Sequence, residues 1–230
     1  PGADRDGISN RGAAYVYRRS AGSWAWEATL AGADPGAGDN FGSAVAYAQG
    51  TILVGAPGHG GGPAEAGAVF AFRQVAGAWT LVETLVSPQG AAGDRFGSAL
   101  AIEGDRLLVG VPLADAAGAV ADAGAADVFA VGPAFSFLAR LAETLPSANA
   151  QFGAALYLGA SDAFIGAPGN LASTQGFVRA YTRSAGALVA AERLVALDGA
   201  SADRFGFSLD FDGSTLQVGA PARLIGEGGG

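Results

Sequence analysis

The sequence contains no cysteine, so it holds neither a disulfide framework nor a thiolate site. Lysine is absent as well: all 13 basic residues are arginine, set against 21 acidic ones, for a net charge of −8. That balance repels phosphate backbones and no basic cluster interrupts it, which argues against a nucleic-acid partner. No apolar run approaches the roughly 20 residues that a membrane-spanning helix needs, so no membrane insertion is expected. The single histidine, His59, rules out a two-histidine metal site or a histidine relay within the chain. No segment shows a sustained helical period with caps. The chain opens on Pro1 without a signal-peptide pattern and is expected to begin inside a longer gene product.

What the sequence does have is punctuation. Thirty-eight glycines and ten prolines recur between apolar runs of strand length, the composition of short strands joined by turns. Phe-Gly recurs at Phe41-Gly42, Phe96-Gly97, Phe152-Gly153 and Phe205-Gly206. Fourteen residues after each Phe stands Gly55-Ala56-Pro57, Gly110-Val111-Pro112, Gly166-Ala167-Pro168 or Gly219-Ala220-Pro221. A third landmark is a glycine five residues before an aromatic: Gly12 and Tyr17, Gly67 and Phe72, Gly124 and Phe129, Gly176 and Tyr181. Each period of 53 to 56 residues holds four strand-length runs, such as FGSAVAYA, TILVGA, GAVFAFRQ and WTLVETLV. Four short antiparallel strands per repeat is the arithmetic of a β-propeller blade. The fold class is therefore all-β, a single propeller domain over residues 1–230 with blades near 41–88, 96–146 and 152–197. The phase of the ends adds a composite closing blade from residues 205–221 plus 1–35, giving about four blades.

These landmarks resemble the FG-GAP repeat of the integrin α-subunit propeller, and more closely its bacterial relatives with the pattern FGxxVAxxGxxLxVGAP. The resemblance covers nearly the whole chain, with Val111 replacing the usual Ala in one copy. On this reading the four Phe residues are scaffold. The resemblance also implies a ligand-engaging face. Loops between strands two and three share one side of the blades with the connections from strand four to the next blade, and recognition tends to sit on variable loops of rigid scaffolds. That face is made of residues 2–11, 58–66, 113–123 and 169–175, with 31–40, 87–95, 146–151 and 198–204.

Calcium in integrin-like repeats sits in an Asp-x-Asp-x-Asp-Gly loop, because several oxygens must converge on one hard cation. Here the corresponding turns read YAQGT, IEGDR, LGASDA and FDGST, which do not supply that ligand count. No cofactor is expected, and the one metal candidate is Asp4, Asp6 and Asn10 in DRDGISN, for which an ordinary Asx turn is the simpler reading. Asp39, Asp94 and Asp203 each stand two residues before a Phe-Gly, with Ala150 in the remaining copy. They either tie down the turn into strand one or form a carboxylate ring for a cationic ligand. His59, in PGHGGGP, is expected to be flexible and solvent-exposed, and Asn170 joins it as a ligand-binding candidate in the next copy's loop. Trp24, Trp26 and Trp79 are expected to pack across blades, with sugar stacking the alternative.

The functional expectation is a non-catalytic extracellular or cell-surface recognition and adhesion module that binds a protein or surface ligand. A glycan-binding propeller is the first alternative, and the propeller portion of a larger secreted hydrolase the second. A monomer, or a homodimer completing a ring, fits the phase of the ends.

Overall fold

The computed structural model of the chain describes residues 7, 9–60, 66–169, 175–200 and 202–222. Every element among them is a strand. A hairpin of β1 (Ala14–Ser20) and β2 (Ser23–Leu30) precedes three complete four-stranded antiparallel blades. Blade one holds β3 (Val45–Ala48), β4 (Thr51–Ala56), β5 (Ala68–Val75) and β6 (Ala78–Leu85). Blade two holds β7 (Leu100–Glu103), β8 (Arg106–Val111), β9 (Ala125–Ala130) and β10 (Ser136–Leu141). Blade three holds β11 (Ala155–Leu158), β12 (Asp162–Ala167), β13 (Phe177–Ser184) and β14 (Ala187–Leu194), and a final hairpin joins β15 (Ser208–Phe211) to β16 (Leu216–Gly219). The inner strands pack in series, β3 on β7, β7 on β11 and β11 on β15.

Local chemistry explains the hairpins. Ala76 and Gly77, like Ala21 and Gly22 or Ala185 and Gly186, both lie at positive φ, the conformation of the two-residue turn whose twist matches the strands it joins. Each pairing of strand three with strand four carries one bulge, between Ala71 and Phe72 in blade one, and bulges increase the twist that a blade needs.

The core lies between blades rather than within them, in four clusters, one per junction. Phe41, Phe96 and Phe152 are buried there, each worth roughly 1.5–3 kcal/mol by removal from water. Their backbones dock on the preceding sheet: Phe41 N–H donates to Arg11 O at 3.2 Å, Phe96 to Ala66 at 2.8 Å and Phe152 to Ala123 at 3.0 Å. Within a blade the Gly of Phe-Gly donates to the Gly of Gly-Ala-Pro, as Gly97 does to Gly110 O at 3.0 Å. The three sequence landmarks are thus one device: two hold a blade's own first strands together and the third seats the next blade.

Three of these junctions also carry a matched pair at fixed places, nine residues before the Phe of Phe-Gly and three after the third-landmark Gly. Between β2 and blade one the pair is Gly32 and Phe70, where a Cβ on Gly32 would lie 3.1 Å from the ring. Between blades one and two it is Ser87 and Asp127, bonded at 2.6 Å, with Arg140 Nε 2.7 Å from the same fully buried carboxylate. Between blades two and three it is Glu143 and Arg179, bonded at 2.8 and 2.6 Å.

The composite blade expected from residues 205–221 plus 1–35 is not assembled among the described residues. Among the described residues β1 pairs with β2 alone and β16 with β15 alone. Val45 and Tyr47 on β3 stay 63% and 66% exposed, although Leu158, the blade-three equivalent of Tyr47, is buried.

Candidate recognition face

The face bearing the loops between strands two and three is built on a repeated stitch. The residue after Gly-Ala-Pro or Gly-Val-Pro donates its N–H to the residue two before Phe-Gly: Gly58 to Asp39 O at 3.1 Å, Leu113 to Asp94 at 3.2 Å, Gly169 to Ala150 at 3.0 Å, Ala222 to Asp203 at 3.3 Å. Two connections of each blade are thereby sewn together at their base.

At that base Asp39, Asp94 and Asp203 turn inward. Each Oδ2 accepts a backbone N–H three residues upstream, from Gly36, Ala91 and Ala200, every time at 2.8 Å. All three residues are buried. The geometry is the turn tie, and the carboxylates do not form an open ring toward a cationic ligand. Ala150 keeps the same turn with its backbone alone, donating to Ser147 O at 3.2 Å. Burial raises the Asp94 carboxyl above the usual carboxylate range; Asp115 and Asp127 add to this, while the Ala91 N–H and Arg140 oppose it.

His59 departs from expectation. It is buried, its Nδ1 lies 2.9 Å from Asp39 Oδ2, and its ring meets the Phe70 ring edge-on at 5.1 Å. A carboxylate can only accept, so Nδ1 carries the proton and donates. Its backbone lies in the common frame: His59 N donates to Ala56 O and Gly67 N to His59 O, as Ala114 N does to Val111 O and Gly124 N to Ala114 O. Ala114 thus holds the place of His59 in blade two. The imidazole is an extra clamp between two stitched loops, and lining up those two copies was the available signal.

Asn10, like Asp122 in the equivalent place of blade two, has a left-handed backbone and accepts from the next linker, Asn40 N at 3.0 Å for one and Gln151 N at 3.0 Å for the other. It is a turn residue. Asp4, Asp6 and Asn170 lie outside the described residues. Among the described residues no group of three or more acidic, histidine or cysteine side chains converges to hold a metal ion.

Above the stitches the loops differ. In blade two residues 115–122 rise as a small hairpin, with Ala116 and Val120 exchanging backbone bonds at 3.0 and 3.3 Å. Asp115 Oδ1 accepts Asp122 N at 3.0 Å and closes it, leaving Ala117, Gly118, Ala119 and Ala121 exposed at the tip.

A second open feature lies at the first hairpin. Tyr15, Tyr17, Trp24, Tyr47, Glu27 and Trp79 line a groove of about 800 Å³. Trp79 packs across the junction as expected, donating Nε1 to Glu27 at 3.0 Å. Trp24 and Trp26 do not: they are 68% and 60% exposed.

The FG-GAP repeat family matches residues 24–72, 79–129 and 189–229, more than half of the sequence. The chain belongs to the FG-GAP repeat family. The repeat that opens at Phe152 falls outside the matched segments, yet it makes the same stitch and the same Phe dock as its FG-GAP neighbours. No curated protein matches the sequence. Among solved structures, a candidate 6-phosphogluconolactonase from Bacteroides uniformis aligns at 13% identity and a TM-score of 0.40, over 83% of this chain. The chain spans 65% of that protein's length.

Proposed function

We propose that this FG-GAP chain is a non-catalytic recognition module that binds a protein ligand outside the cell through its long-loop face. The observation that carries the reading is the repeated stitch at 39/58, 94/113, 150/169 and 203/222. It holds the base of each loop pair rigid while leaving the loop above free in length and sequence, which is how rigid scaffolds host recognition. The landmark residues are consumed by packing and docking, so the tips are where one copy differs from another. FG-GAP repeats are typical of extracellular adhesion proteins, which supports the location.

The test is binding of labelled chain to a panel of bacterial and animal cell surfaces. Saturable binding that protease treatment of the cells abolishes and glycosidase treatment spares is the expected result. Binding lost only to glycosidase would make the chain a lectin, and turnover of a substrate by the purified chain would make it an enzyme.

A further inference from the structure

The outer part of the junction between blades two and three lacks the side chains that fill the same place elsewhere. Seventeen residues before the next Phe-Gly stand Trp79 in blade one, Phe135 in blade two and Leu188 in blade three; fifteen before it stand Leu81, Phe137 and Ala190. The pairing register confirms the match, since Leu81, Phe137 and Ala190 lie opposite Phe72, Phe129 and Tyr181. Trp79 and Leu81 pack into the junction with β2, and Phe135 and Phe137 into the junction with blade one. Leu188 packs into the junction with blade two, but it is smaller than either aromatic, and Ala190 is exposed. The facing wall has shrunk too. Glu83 of blade one reaches the Phe135 N–H at 3.1 Å, and Ala139 holds the place of Glu83 in blade two.

A cavity of about 330 Å³ is left, of the size of a small ligand pocket. It lies between two complete blades, at the end opposite the long loops. Its walls are aliphatic, with Val128, Leu138, Leu141, Leu158 and Leu188 supplying most of the surface, and space lined in this way favours an apolar guest over water. The only polar side chains among the lining residues are Arg106 and Arg183.

The two arginines are not equally occupied. Arg106 does what Arg73 does at the previous junction. Arg73 donates to the carbonyls of Gly132 and Pro133 in the next blade's hairpin, and Arg106 Nη2 donates to Gly186 O at 3.1 Å while Nη1 holds Asp105. Arg183 has no such duty, and Val131 stands in its place in blade two. It donates to Asp105 through Nη2, and its remaining N–H groups meet no partner among the described residues. The bond from Arg183 holds the Asp105 carboxyl below the usual range, so Asp105 stays ionised at neutral pH. Two guanidiniums against one carboxylate leave one positive charge beside an aliphatic cavity, in a chain whose net charge is −8.

We propose that this cavity binds a medium-chain fatty acid, its carboxylate on Arg183 and its chain along Val128, Leu138, Leu158 and Leu188. A guanidinium with spare N–H groups pairs with a carboxylate in two-pronged fashion. The hydrocarbon chain asks for no hydrogen bonds, and the walls offer no polar side chain beyond the arginines. A peptide would carry amides into the same space and leave them unpaired. The site is separate from the loop face and does not depend on what that face binds.

The experiment is calorimetric titration of the whole chain with decanoate, 1-decanol and a tripeptide ending in leucine, each below its aggregation limit. Decanoate should bind saturably at one per chain and about tenfold or more tighter than 1-decanol. Leu188→Phe with Ala190→Phe imports the filling used by blade two, and should abolish decanoate binding without lowering Tm. Arg183→Gln should bring decanoate down to the affinity of 1-decanol and leave 1-decanol binding as it was. Absence of saturable decanoate binding overturns the proposal, as does 1-decanol matching decanoate, or decanoate binding that survives the filled variant. Tighter binding of the tripeptide than of decanoate overturns it as well and gives the cavity to a chain terminus. If the filled variant does not fold, Arg183→Gln decides, and an unchanged decanoate affinity there refutes the site.

Discussion

Gly110 sits so close to Gly153 of the next blade that a Cβ on Gly110 would lie 2.1 Å from the Gly153 carbonyl oxygen. The same approach recurs as Gly55 on Gly97 at 2.0 Å and Gly166 on Gly206 at 2.1 Å. Backbone, unlike a flexible side chain, cannot swing aside. Gly110→Ala must therefore push blades two and three apart and should cost about 3 kcal/mol, near 10 °C in Tm for a chain of this size. Gly132→Ala is the control, since its Cβ would meet only Ala134 O, at 3.4 Å. Thermal melts of the two variants check this, and equal losses would refute the close-approach account.

The buried Asp94 gives a pH dependence. Its folded carboxyl is raised, so between the ordinary carboxylate range and its own higher value the native state holds more protons than the unfolded one. Stability from this group therefore falls as pH rises through that window. Asp94→Asn removes the charge and keeps an acceptor for Ala91 N–H, so its stability relative to the parent should improve as pH rises from about 4 to 7. Asp94→Ala loses the tie and should cost about 1 kcal/mol. Urea midpoints across pH measure both. A difference between Asp94→Asn and the parent that is constant in pH would contradict the assignment.

The junction pairs are predicted to be exchangeable as units and not singly. Glu143→Ser leaves Arg179 facing a covered junction without its carboxylate and should cost about 2–3 kcal/mol. Adding Arg179→Asp imports the pair used between blades one and two. Arg193, which lies across from Arg179 as Arg140 lies across from Asp127, then completes the set. The double variant should be more stable than Glu143→Ser by about 1.5 kcal/mol or more, read as a coupling energy in a double-mutant cycle. Strict additivity would show that the pairs are independent.

The turns between strands one and two satisfy themselves. Asp212 Oδ1 accepts both Ser214 N and Thr215 N at 2.8 Å, and these bonds hold its carboxyl below the usual range. The chain should therefore fold without calcium: EDTA leaves Tm unchanged within a degree or two. A drop of about 10 °C would mean a native-state cation worth several kcal/mol.

Much of this architecture was legible because spacing repeats. Phe41, Phe96 and Phe152 at constant offset from Gly55, Gly110 and Gly166 announce a blade, and the structure gives each landmark one backbone job. The Ser87–Asp127 and Glu143–Arg179 pairs stand at constant offsets from the same landmarks, but a pair whose chemistry changes from one junction to the next shows no recurring residue type. The six glycines and prolines around His59 point to an exposed side chain. Its burial depends on Asp39, twenty residues earlier, which no local pattern reveals. Closure was read from the phase of the two ends. Phase shows that two half-blades match, but not whether they pair with each other.

The central claim is that ligand is held by the stitched loops and not by the aromatic groove, and one comparison tests it most directly. Residues 115–122 are replaced by a Gly-Ser segment of equal length in one variant, and Trp24→Ala with Trp79→Ala is made in another. Both are titrated against the cell surface that binds the parent chain. The loop variant should lose at least tenfold in affinity, about 1.4 kcal/mol, while the groove variant keeps the parent Kd. Unchanged binding by the loop variant with loss in the groove variant would contradict the account.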